Sequence, residues 1–361
     1  MTATSPPPPR EPIHWRRRPL VVRVGPWSVR SSVRVALVLG ALGVLAVALA
    51  ILAVGVGKYE VSPAAVVDVL LGRDHSFNRV VVLEWRAPRA LLALLIGAAL
   101  GTSGAIFQAL TRNPLGSPDI IGFTTGAYTG ALVVIGVIGA ADYYLTAGGA
   151  LVGGLATAGI VYGFARKDGG VQGFRLIVVG IAVGATLTAV NQWIIIRVDL
   201  QTARAADVWS QGTLNGLEWA QAVPVALCLA VLVGLLARLG PRLAVMQMGD
   251  DAAGALGIRP DRTRVALLAL GVALVAVATA AAGPVAFVAL AAPQIARRIT
   301  GSPGVTLTSS AVTGATLLLL SDLIALRALA PTQLPVGAVT VCLGGGYLIY
   351  LLIAQARGAR L

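Results

Sequence analysis

The stretch VRVALVLGALGVLAVALAILAVGVG, residues 33–57, decides the fold class of this chain. Its only charged residue is Arg34. An α-helix rises about 1.5 Å per residue and needs about 20 apolar residues to cross about 30 Å of hydrocarbon, so this stretch can span a bilayer. It is also longer than the apolar core of a secretory signal peptide, about 7–15 residues, and no cleavage motif follows it. The stretch therefore predicts a transmembrane helix.

Nine further apolar runs of similar length follow it along the chain. The ten predicted spans lie near residues 33–57, 90–111, 120–140, 144–165, 176–196, 219–238, 265–282, 284–299, 307–326 and 336–355. The run 284–299 is the weakest, because it is short, contains Pro293 and is separated from its predecessor only by Gly283-Pro284. The sequence leaves open whether this run crosses the bilayer completely. The pattern predicts an all-α, polytopic membrane protein with about ten transmembrane helices.

Composition and charge distribution support this fold class and indicate an orientation. Of the 361 residues, 57% are hydrophobic and 12% are charged, which excludes an ordinary soluble protein. Lys and Arg outnumber Asp and Glu by 28 to 15. With the N-terminus inside, the inner segments hold twenty of these basic residues and the outer loops hold eight, as the positive-inside rule requires. We therefore expect a plasma or inner membrane protein with cytoplasmic N- and C-termini, and its net charge does not indicate nucleic acid binding.

The chain divides into two segments of different character. Residues 1–32 are rich in proline and arginine and predict a flexible, basic cytoplasmic tail, whereas residues 33–361 predict one transmembrane domain. Within the second predicted span, Gly97, Gly101 and Gly104 predict close helix packing, because small residues let helix backbones approach each other in a membrane.

Ionisable residues are rare inside the predicted spans. Asp322 is the only acid well inside one, and no Lys or His lies in one. One interpretation is a proton-coupled secondary transporter that uses Asp322, since carriers of that class place ionisable groups at membrane depth. The other is that Asp322 accepts hydrogen bonds from neighbouring helix ends or pairs with Arg327. The sequence leaves both interpretations open.

The sequence offers no constellation for catalysis or nucleotide hydrolysis. His14 and His75 lie outside the predicted spans, so no His-containing metal site or catalytic triad is predicted in the bundle. The phosphate-binding pattern G-x-x-x-x-G-K-[ST] is not matched either, because Lys58 follows Gly57 but Leu52 stands at the first glycine position. We predict that the chain is not an enzyme, and active transport would need a partner chain that binds ATP.

The inner loop between the sixth and seventh predicted spans contains a short predicted surface helix. Asp250 can cap its first amides, and Gly257 can end it in a left-handed conformation. Its small, uncharged middle suits a groove on a cytoplasmic partner, and the alternative is that it rests on its own bundle. The segment comprises Met248, Gly249, Asp250, Asp251, Ala252, Ala253, Gly254, Ala255, Leu256 and Gly257.

Two outer segments also carry structure signals. Ser62 as a cap and Pro63 at the first helical position predict a short helix that ends at Gly72. The stretch 198–218 is long for a link between spans, and loops of that size are often recognition surfaces. Headgroup anchoring by tryptophan is the alternative role for this stretch.

Several motifs occur in an order and at a spacing that resemble a known family. They are Arg86-Ala87-Pro88-Arg89, Arg112-Asn113-Pro114-Leu115-Gly116, Met248-Gly249-Asp250-Asp251 with Leu256-Gly257, Gly283-Pro284 through Pro293, Asp322, and Leu334-Pro335. Together they resemble the membrane subunits of ATP-binding-cassette importers for iron–siderophore complexes, haem and vitamin B12, from about residue 33 to the C-terminus. Residues 117–123 and 337–347 look most like the ferric-enterobactin importer subunit that works beside a second, different permease. Gln294 departs from the pattern, because many relatives carry a histidine after the proline.

The resemblance implies a fold, a function and a set of partners. The fold is that of the vitamin B12 importer permease, with residues 33–361 as the permease domain. The function is uptake of a ferric siderophore, with the catecholate type favoured, by one half of a heterodimeric permease; a homodimer is the alternative. Two cytoplasmic ATPases would bind ATP and Mg, and an extracytoplasmic siderophore-binding protein would deliver the cargo. This chain itself would bind no cofactor and no metal.

The resemblance also implies roles for individual residues. The segment 248–257 would be the coupling helix that meets the ATPase. Outer basic residues would pair with acidic side chains on the binding protein, since such charges guide docking. The residues that would do so are Arg73, Arg79 and Arg327. The residues that would line the translocation path, in the fifth predicted span, are Thr186, Thr188 and Asn191.

Overall fold

The computed structural model describes residues 19–24, 27–57, 59–139, 142–167, 170–171, 173–330 and 332–358, and these are almost entirely helical. The helices are α1 Val33–Gly55, α2 Pro63–Leu70, α3 Phe77–Arg79, α4 Ala87–Thr111, α5 Phe123–Leu132, α6 Tyr143–Ala165, α7 Gly173–Arg197, α8 Leu200–Ser210, α9 Trp219–Met246, α10 Asp250–Ala255, α11 Pro260–Ala282, α12 Val288–Thr300, α13 Leu307–Arg327 and α14 Val336–Gly358. Two π-helical segments, Val80–Arg86 and Val133–Ile138, precede α4 and continue α5. Two short strand pairs complete the described elements: β1 Pro19–Val24 with β2 Trp27–Ser32, and β3 Arg166–Lys167 with β4 Gly170–Val171.

Ten of these helices coincide with the ten predicted spans, which confirms the all-α membrane fold. Among the described residues, seven helices are long and apolar enough to cross a membrane. They are α1, α4 with the turns before it, α6, α7, α9, α11 and α13. The helix α5 with its π-helical continuation, and α14 over Val336–Leu351, are shorter apolar helices.

The remaining helix, α12, shows whether the run 284–299 crosses the bilayer, which the sequence left open. It contains 13 residues, so it is only about 20 Å long at about 1.5 Å per residue, less than the hydrocarbon thickness of about 30 Å. It begins beside the last third of α4, where Gln108 donates a hydrogen bond to the carbonyl of Leu290 (3.0 Å). The chain therefore leaves α11 in a non-helical segment and re-forms a helix inside the bundle.

The bundle has two ends, which we name after the short helices that lie there. The α8 end carries α2, α3, α8 and the start of α4; the α10 end carries α10 and the end of α4. The centre between them is formed by α4, α11 and α13, which are the most buried of the long helices, whereas α1, α7 and α9 expose most of their surface.

Glycine contacts hold the central helices together, as the sequence predicted. A Cβ placed on Gly97 would overlap the backbone of Gly314, and one on Gly101 would overlap the carbonyl of Ser310. Both contacts join α4 to α13. Gly104 touches the backbone of α12 in the same way. Close approach of this kind gains van der Waals contact where lipid supplies no hydrophobic force between helices.

The segment before α1 differs in part from the predicted flexible tail. Pro19–Val24 and Trp27–Ser32 form an antiparallel pair in which Val22 lies opposite Val29. Both strands contain β-branched residues, which favour extended backbone, and this accounts for the difference. Residues 1–18 of the predicted tail lie outside the described residues.

Candidate functional site

The start of α4 is held by a buried ion pair at the α8 end. Arg89 lies in the first turn of α4, and its Nε and Nη2 atoms donate to the carboxylate of Asp322 on α13 at 3.0 and 2.8 Å. The Nη1 atom donates to Oδ1 of Asn215 at 2.6 Å. The Asp322 side chain is 1% exposed. The cluster therefore joins α4, α13 and the loop before α9.

This geometry corrects the predicted pairing of Asp322 with Arg327. A fork-to-fork contact with Arg89 satisfies both carboxylate oxygens with charge-assisted hydrogen bonds. Arg327 instead lies on the surface, 3.6 Å from Glu60. The sequence reasoning missed the pair because Arg89 and Asp322 lie 233 positions apart.

Arg86 of the same motif caps α1. Its Nη1 atom donates to the carbonyls of Val54 and Gly55, both at 3.0 Å, and its Nη2 atom donates to the carbonyl of Tyr59. The last carbonyls of a helix have no intrahelical partner, and a cation at that end is favoured by the helix dipole. Pro88 is buried in the first turn of α4, where its missing N–H costs nothing.

The motif residues that follow α4 contact α12. Asn113 accepts a hydrogen bond from the N–H of Leu115 (2.9 Å), and the carbonyl of Pro114 accepts one from Gln294 (3.3 Å). Gln294 also donates to Gln108, so the residue that departs from the family pattern is a buried link between α12 and α4.

Glycine and proline motifs close the bundle at the α8 end. Gly283 ends α11 with φ +73°, a conformation that favours glycine. The carbonyl of Pro284 packs against Gly212 and Gly337. Of the two other prolines in the family motifs, Pro335 lies just before α14 and Pro293 lies inside α12.

At the α10 end, the predicted surface helix is present as α10. Its cap is Gly249, with φ +121°, and not Asp250 as the sequence predicted. The Asp250 carboxylate does not accept from the first amides of α10, because it pairs with Arg112 at 3.0 Å and with Arg264 at 2.8 Å. Gly257 has φ +78°, in agreement with the predicted left-handed end.

The two faces of the α10 segment differ in burial. Ala253 is completely buried against the bundle, whereas Met248 and Leu256 are 73% and 65% exposed. One face of the segment therefore rests on its own bundle and the other is exposed. Binding of a cytoplasmic partner by the exposed face stays a prediction. Three other residues of the predicted coupling segment, Asp251, Ala252 and Gly254, lie within α10.

The two loops that the sequence predicts to be outer form short helices at the α8 end. The hydroxyl of Ser62 accepts from the N–H of Ala65, so it caps α2 as predicted. Arg73 and Arg79, two of the predicted docking residues, are exposed beside this helix. Between them, a hydrogen bond from Asn78, together with those from Ser76, lowers the pKa of Asp74.

The long stretch 198–218 contains α8, which includes Trp209, and Trp219 follows the stretch directly. Trp209 stacks on Tyr128 with a ring-centroid distance of 6.1 Å. Trp219 donates from Nε1 to the carbonyl of Leu83 (2.8 Å). Both tryptophans therefore make contacts within the protein, in addition to any contact with headgroups.

The three predicted path residues do not share one face of α7. At about 100° per residue, the side chains of Thr186 and Thr188 point about 160° apart around the helix axis. Each threonine hydroxyl bonds to a carbonyl of its own helix. Asn191 is 3% exposed, and its amide atoms have no hydrogen-bond partner among the described residues. Lining of a path by all three remains a prediction.

Sequence comparison places the chain among known transport proteins. The model of the FecCD transport family matches residues 45–354. The chain belongs to the FecCD transport family. It is 48% identical over 301 residues to the ferric enterobactin transport system permease protein FepG of Escherichia coli, covering 83% of this chain and 91% of FepG. It is 35% identical over 331 residues to the Fe(3+)-citrate import system permease protein YfmE of Bacillus subtilis, covering 91% and 98%.

A solved structure shows the same architecture for this FecCD permease. An inward-facing metal-chelate-type ABC transporter superposes with a TM-score of 0.78 at 26% sequence identity, covering 89% of this chain and 99% of the other. The resemblance inferred from the ordered motifs, and the permease fold that it implied, are thereby confirmed.

Proposed function

We propose that this chain is the permease subunit of an ATP-binding-cassette importer that takes up a ferric siderophore, of the catecholate type. The observation that carries the proposal is the 48% identity to FepG over 301 residues. The chain itself is not an enzyme and binds no cofactor. Partner ATPases bind ATP and Mg, and they supply the driving force.

The geometry of the two ends supports separate partners. The free face of α10, with Met248 and Leu256 exposed, is suited to a groove on an ATPase. At the opposite end, exposed Arg73, Arg79 and Arg327 are suited to acidic side chains of a siderophore-binding protein. In this arrangement the α10 end is cytoplasmic and the termini lie on that side.

The exposed faces of α1, α7 and α9 support a second permease subunit beside this one. In each of these helices, between 6% and 22% of the most apolar part is buried within this chain. Lipid covers part of that surface, and a partner permease covers the rest. We favour a different chain over a second copy, because the motif at 117–123 resembles the type that works in a heterodimer.

The buried ion pair disfavours the proton-coupled alternative. Asp322 is bound to Arg89 by three hydrogen bonds, so protonation would break a fully paired contact. A carboxylate that must take up and release a proton in each cycle needs solvent access, and Asp322 is 1% exposed.

Uptake by reconstituted vesicles tests the proposal. The transporter is purified from native membranes with its bound subunits, which mass measurement identifies, and uptake of radiolabelled ferric catecholate is followed with the binding protein present. We expect uptake that requires ATP and continues when a protonophore collapses the proton gradient. A ferric hydroxamate complex serves as the cargo control and should be taken up more slowly.

Two results would contradict the proposal. Uptake by this chain alone, driven by a proton gradient without ATP, would show a secondary transporter. Equal uptake of the hydroxamate and catecholate complexes would leave the permease assignment intact but refute the catecholate substrate.

A further inference from the structure

A basic cavity lies between α9 and α11 at the α10 end. It has a volume of about 460 Å³, and its lining includes Leu239, Arg242, Arg259, Arg262, Thr263 and Ala266. Arg242 belongs to the last turns of α9, whereas Arg259 and Arg262 stand at the start of α11. Three cations from two helices thus converge on one cavity.

These arginines have no acidic partner within the described chain. Arg242, Arg259 and Arg262 form no ion pair with any residue that the structure describes. The nearest acid in sequence, Asp261, is bound to Arg264 at 3.2 Å. Their charge is therefore available to an anion from outside the chain.

The first turn of α11 adds to the positive potential of this basic cavity. Its cap position is Arg259, and no side chain accepts a hydrogen bond from its first amides. The N-terminus of a long helix carries partial positive charge. Thr263, which is 4% exposed, completes the lining at this point.

An apolar groove continues from the basic cavity along the same two helices. It has a volume of about 610 Å³ and is lined mainly by Leu235, Leu239, Ala269, Leu270 and Ala273, with Arg238 and Arg242 of α9 along one side. Leu239, Arg242 and Ala266 line both spaces, so the cavity and the groove adjoin.

The groove runs along the membrane-spanning parts of the helices. Leu235 lies about 16 Å from the end of α9, and Ala273 about 20 Å from the start of α11, at about 1.5 Å per residue. The basic cavity lies at the helix ends. The three arginines of the cavity therefore stand at the level of headgroups, while the groove, in which Arg238 lies about 12 Å from the end of α9, reaches the level of acyl chains.

We propose that an anionic phospholipid binds here, with its phosphate in the basic cavity and an acyl chain in the apolar groove. Basic pockets between transmembrane helices are suited to anionic headgroups. A free phosphate would use the arginines but leave the groove empty. An acidic surface of a soluble partner could meet the arginines, but it could not extend into the groove, since the irregular backbone of such a surface is excluded from hydrocarbon.

Native mass spectrometry of the delipidated transporter complex tests this site. Phosphatidylglycerol and phosphatidylcholine with identical acyl chains are added separately, so that only the headgroup charge differs. We expect the complex to bind phosphatidylglycerol about tenfold more tightly, and the variant R242Q/R259Q/R262Q to lose that preference. The matched control R166Q/R175Q/R297Q removes the same charge at the same end of the bundle and should keep it.

A second variant tests the groove without changing charge. Ala269→Phe places a large side chain in the groove and should lower phosphatidylglycerol binding about tenfold, whereas Ala230→Phe on an exposed face of α9 should not. This variant decides the question even if the triple arginine variant fails to fold. The soluble headgroup glycerophosphoglycerol and inorganic phosphate serve as tailless probes, and both should compete poorly.

Three results would overturn the proposal. Undiminished preference for phosphatidylglycerol in the folded arginine variant would place the lipid elsewhere. Equally tight binding of inorganic phosphate would make the site a small-anion site. Loss of the ATPase subunits from the arginine variant, with lipid binding unchanged, would assign the arginines to a protein contact.

Discussion

The two ends of α4 are each held by an arginine and an aspartate, yet the two contacts differ in almost every physical respect. At the α8 end, Arg89 forms an ion pair with Asp322, whose side chain is 1% exposed. At the α10 end, Arg112 lies 3.0 Å from Asp250, whose side chain is 47% exposed, and it stands just beyond the helix with φ +50°. The same two residue types thus form one buried contact and one surface contact.

The difference in burial between the two ion pairs indicates which end of the bundle is rigid and which end can rearrange. A buried pair is expensive to break, because the group left behind is an uncompensated charge in a medium of low polarity. An exposed pair contributes about 0–1 kcal/mol and can exchange partners with solvent or with another protein. Asp250 already shares two arginines, so the contact beside the proposed ATPase surface can rearrange at little cost.

The largest expected effect comes from removing the buried partner. Asp322→Ala should lower the free energy of unfolding by about 3–5 kcal/mol, because Arg89 would remain without a counter-charge. Thermal or denaturant unfolding of the purified transporter in detergent, followed by tryptophan fluorescence, measures the change.

Asp250→Ala is the matched control for this comparison. It removes the same carboxylate from the exposed pair and should cost less than about 1 kcal/mol. Equal losses for the two variants would show that burial does not distinguish the two ends. The double variant R89M/D322L should recover much of the stability lost by Asp322→Ala, since it leaves no unpaired charge.

The second effect concerns function at the adjustable end. Leu256→Arg should leave the unfolding transition unchanged, because the side chain is 65% exposed. It should lower ATP-dependent uptake at least about tenfold, since it puts a charge into an apolar contact with the ATPase. Uptake in vesicles, and ATP hydrolysis measured in the same vesicles, report the coupling.

Leu256→Met serves as the control for that variant, because it keeps the apolar side chain and should retain uptake. Normal coupling in Leu256→Arg would remove the α10 segment from the proposed partner surface. The outcome would leave the ion-pair comparison itself untouched.

The smallest effect is expected on the surface of the α8 end. Arg327 makes only a 3.6 Å contact with Glu60, and both side chains are mostly exposed. Arg327→Glu should weaken binding-protein docking about two- to fivefold at low salt. The effect should vanish near 1 M salt, where the screening length falls to about 3 Å. Arg166→Glu, at the opposite end, should not change docking at either salt concentration.

Much of the fold could be predicted from the sequence, because each transmembrane helix satisfies its own backbone hydrogen bonds. Length and hydropathy located all ten helices, and Ser62 and Gly72 marked the ends of α2 correctly. The position of α12 was harder to predict, because its short run and proline fit both a full and a partial span. Its actual start depends on contacts with Gly104 and Gln108.

The candidate site was predicted less completely, because its contacts join residues that are distant in sequence. Arg89 and Asp322 were both recognised as motif residues, but nothing local connects them. One signal could have connected them. Arg89 precedes the second predicted span and Asp322 lies near the end of the ninth, so the predicted topology places both near the same side of the membrane. The role of Asp250 was misassigned for a related reason, since local capping rules do not include arginines from α4 and α11.

The sequence by itself determined where the ten apolar helices lie, where most of them end, and which ordered motifs relate the chain to its family. These properties are local, since hydropathy and backbone satisfaction act within one segment. Only the tertiary structure decided which charges meet and which remain free. Arg89 is neutralised by Asp322, whereas Arg242, Arg259 and Arg262 converge on one cavity without an acidic partner among the residues that the structure describes. The physical reason is that ion pairing depends on distance in space, which helix packing alone sets.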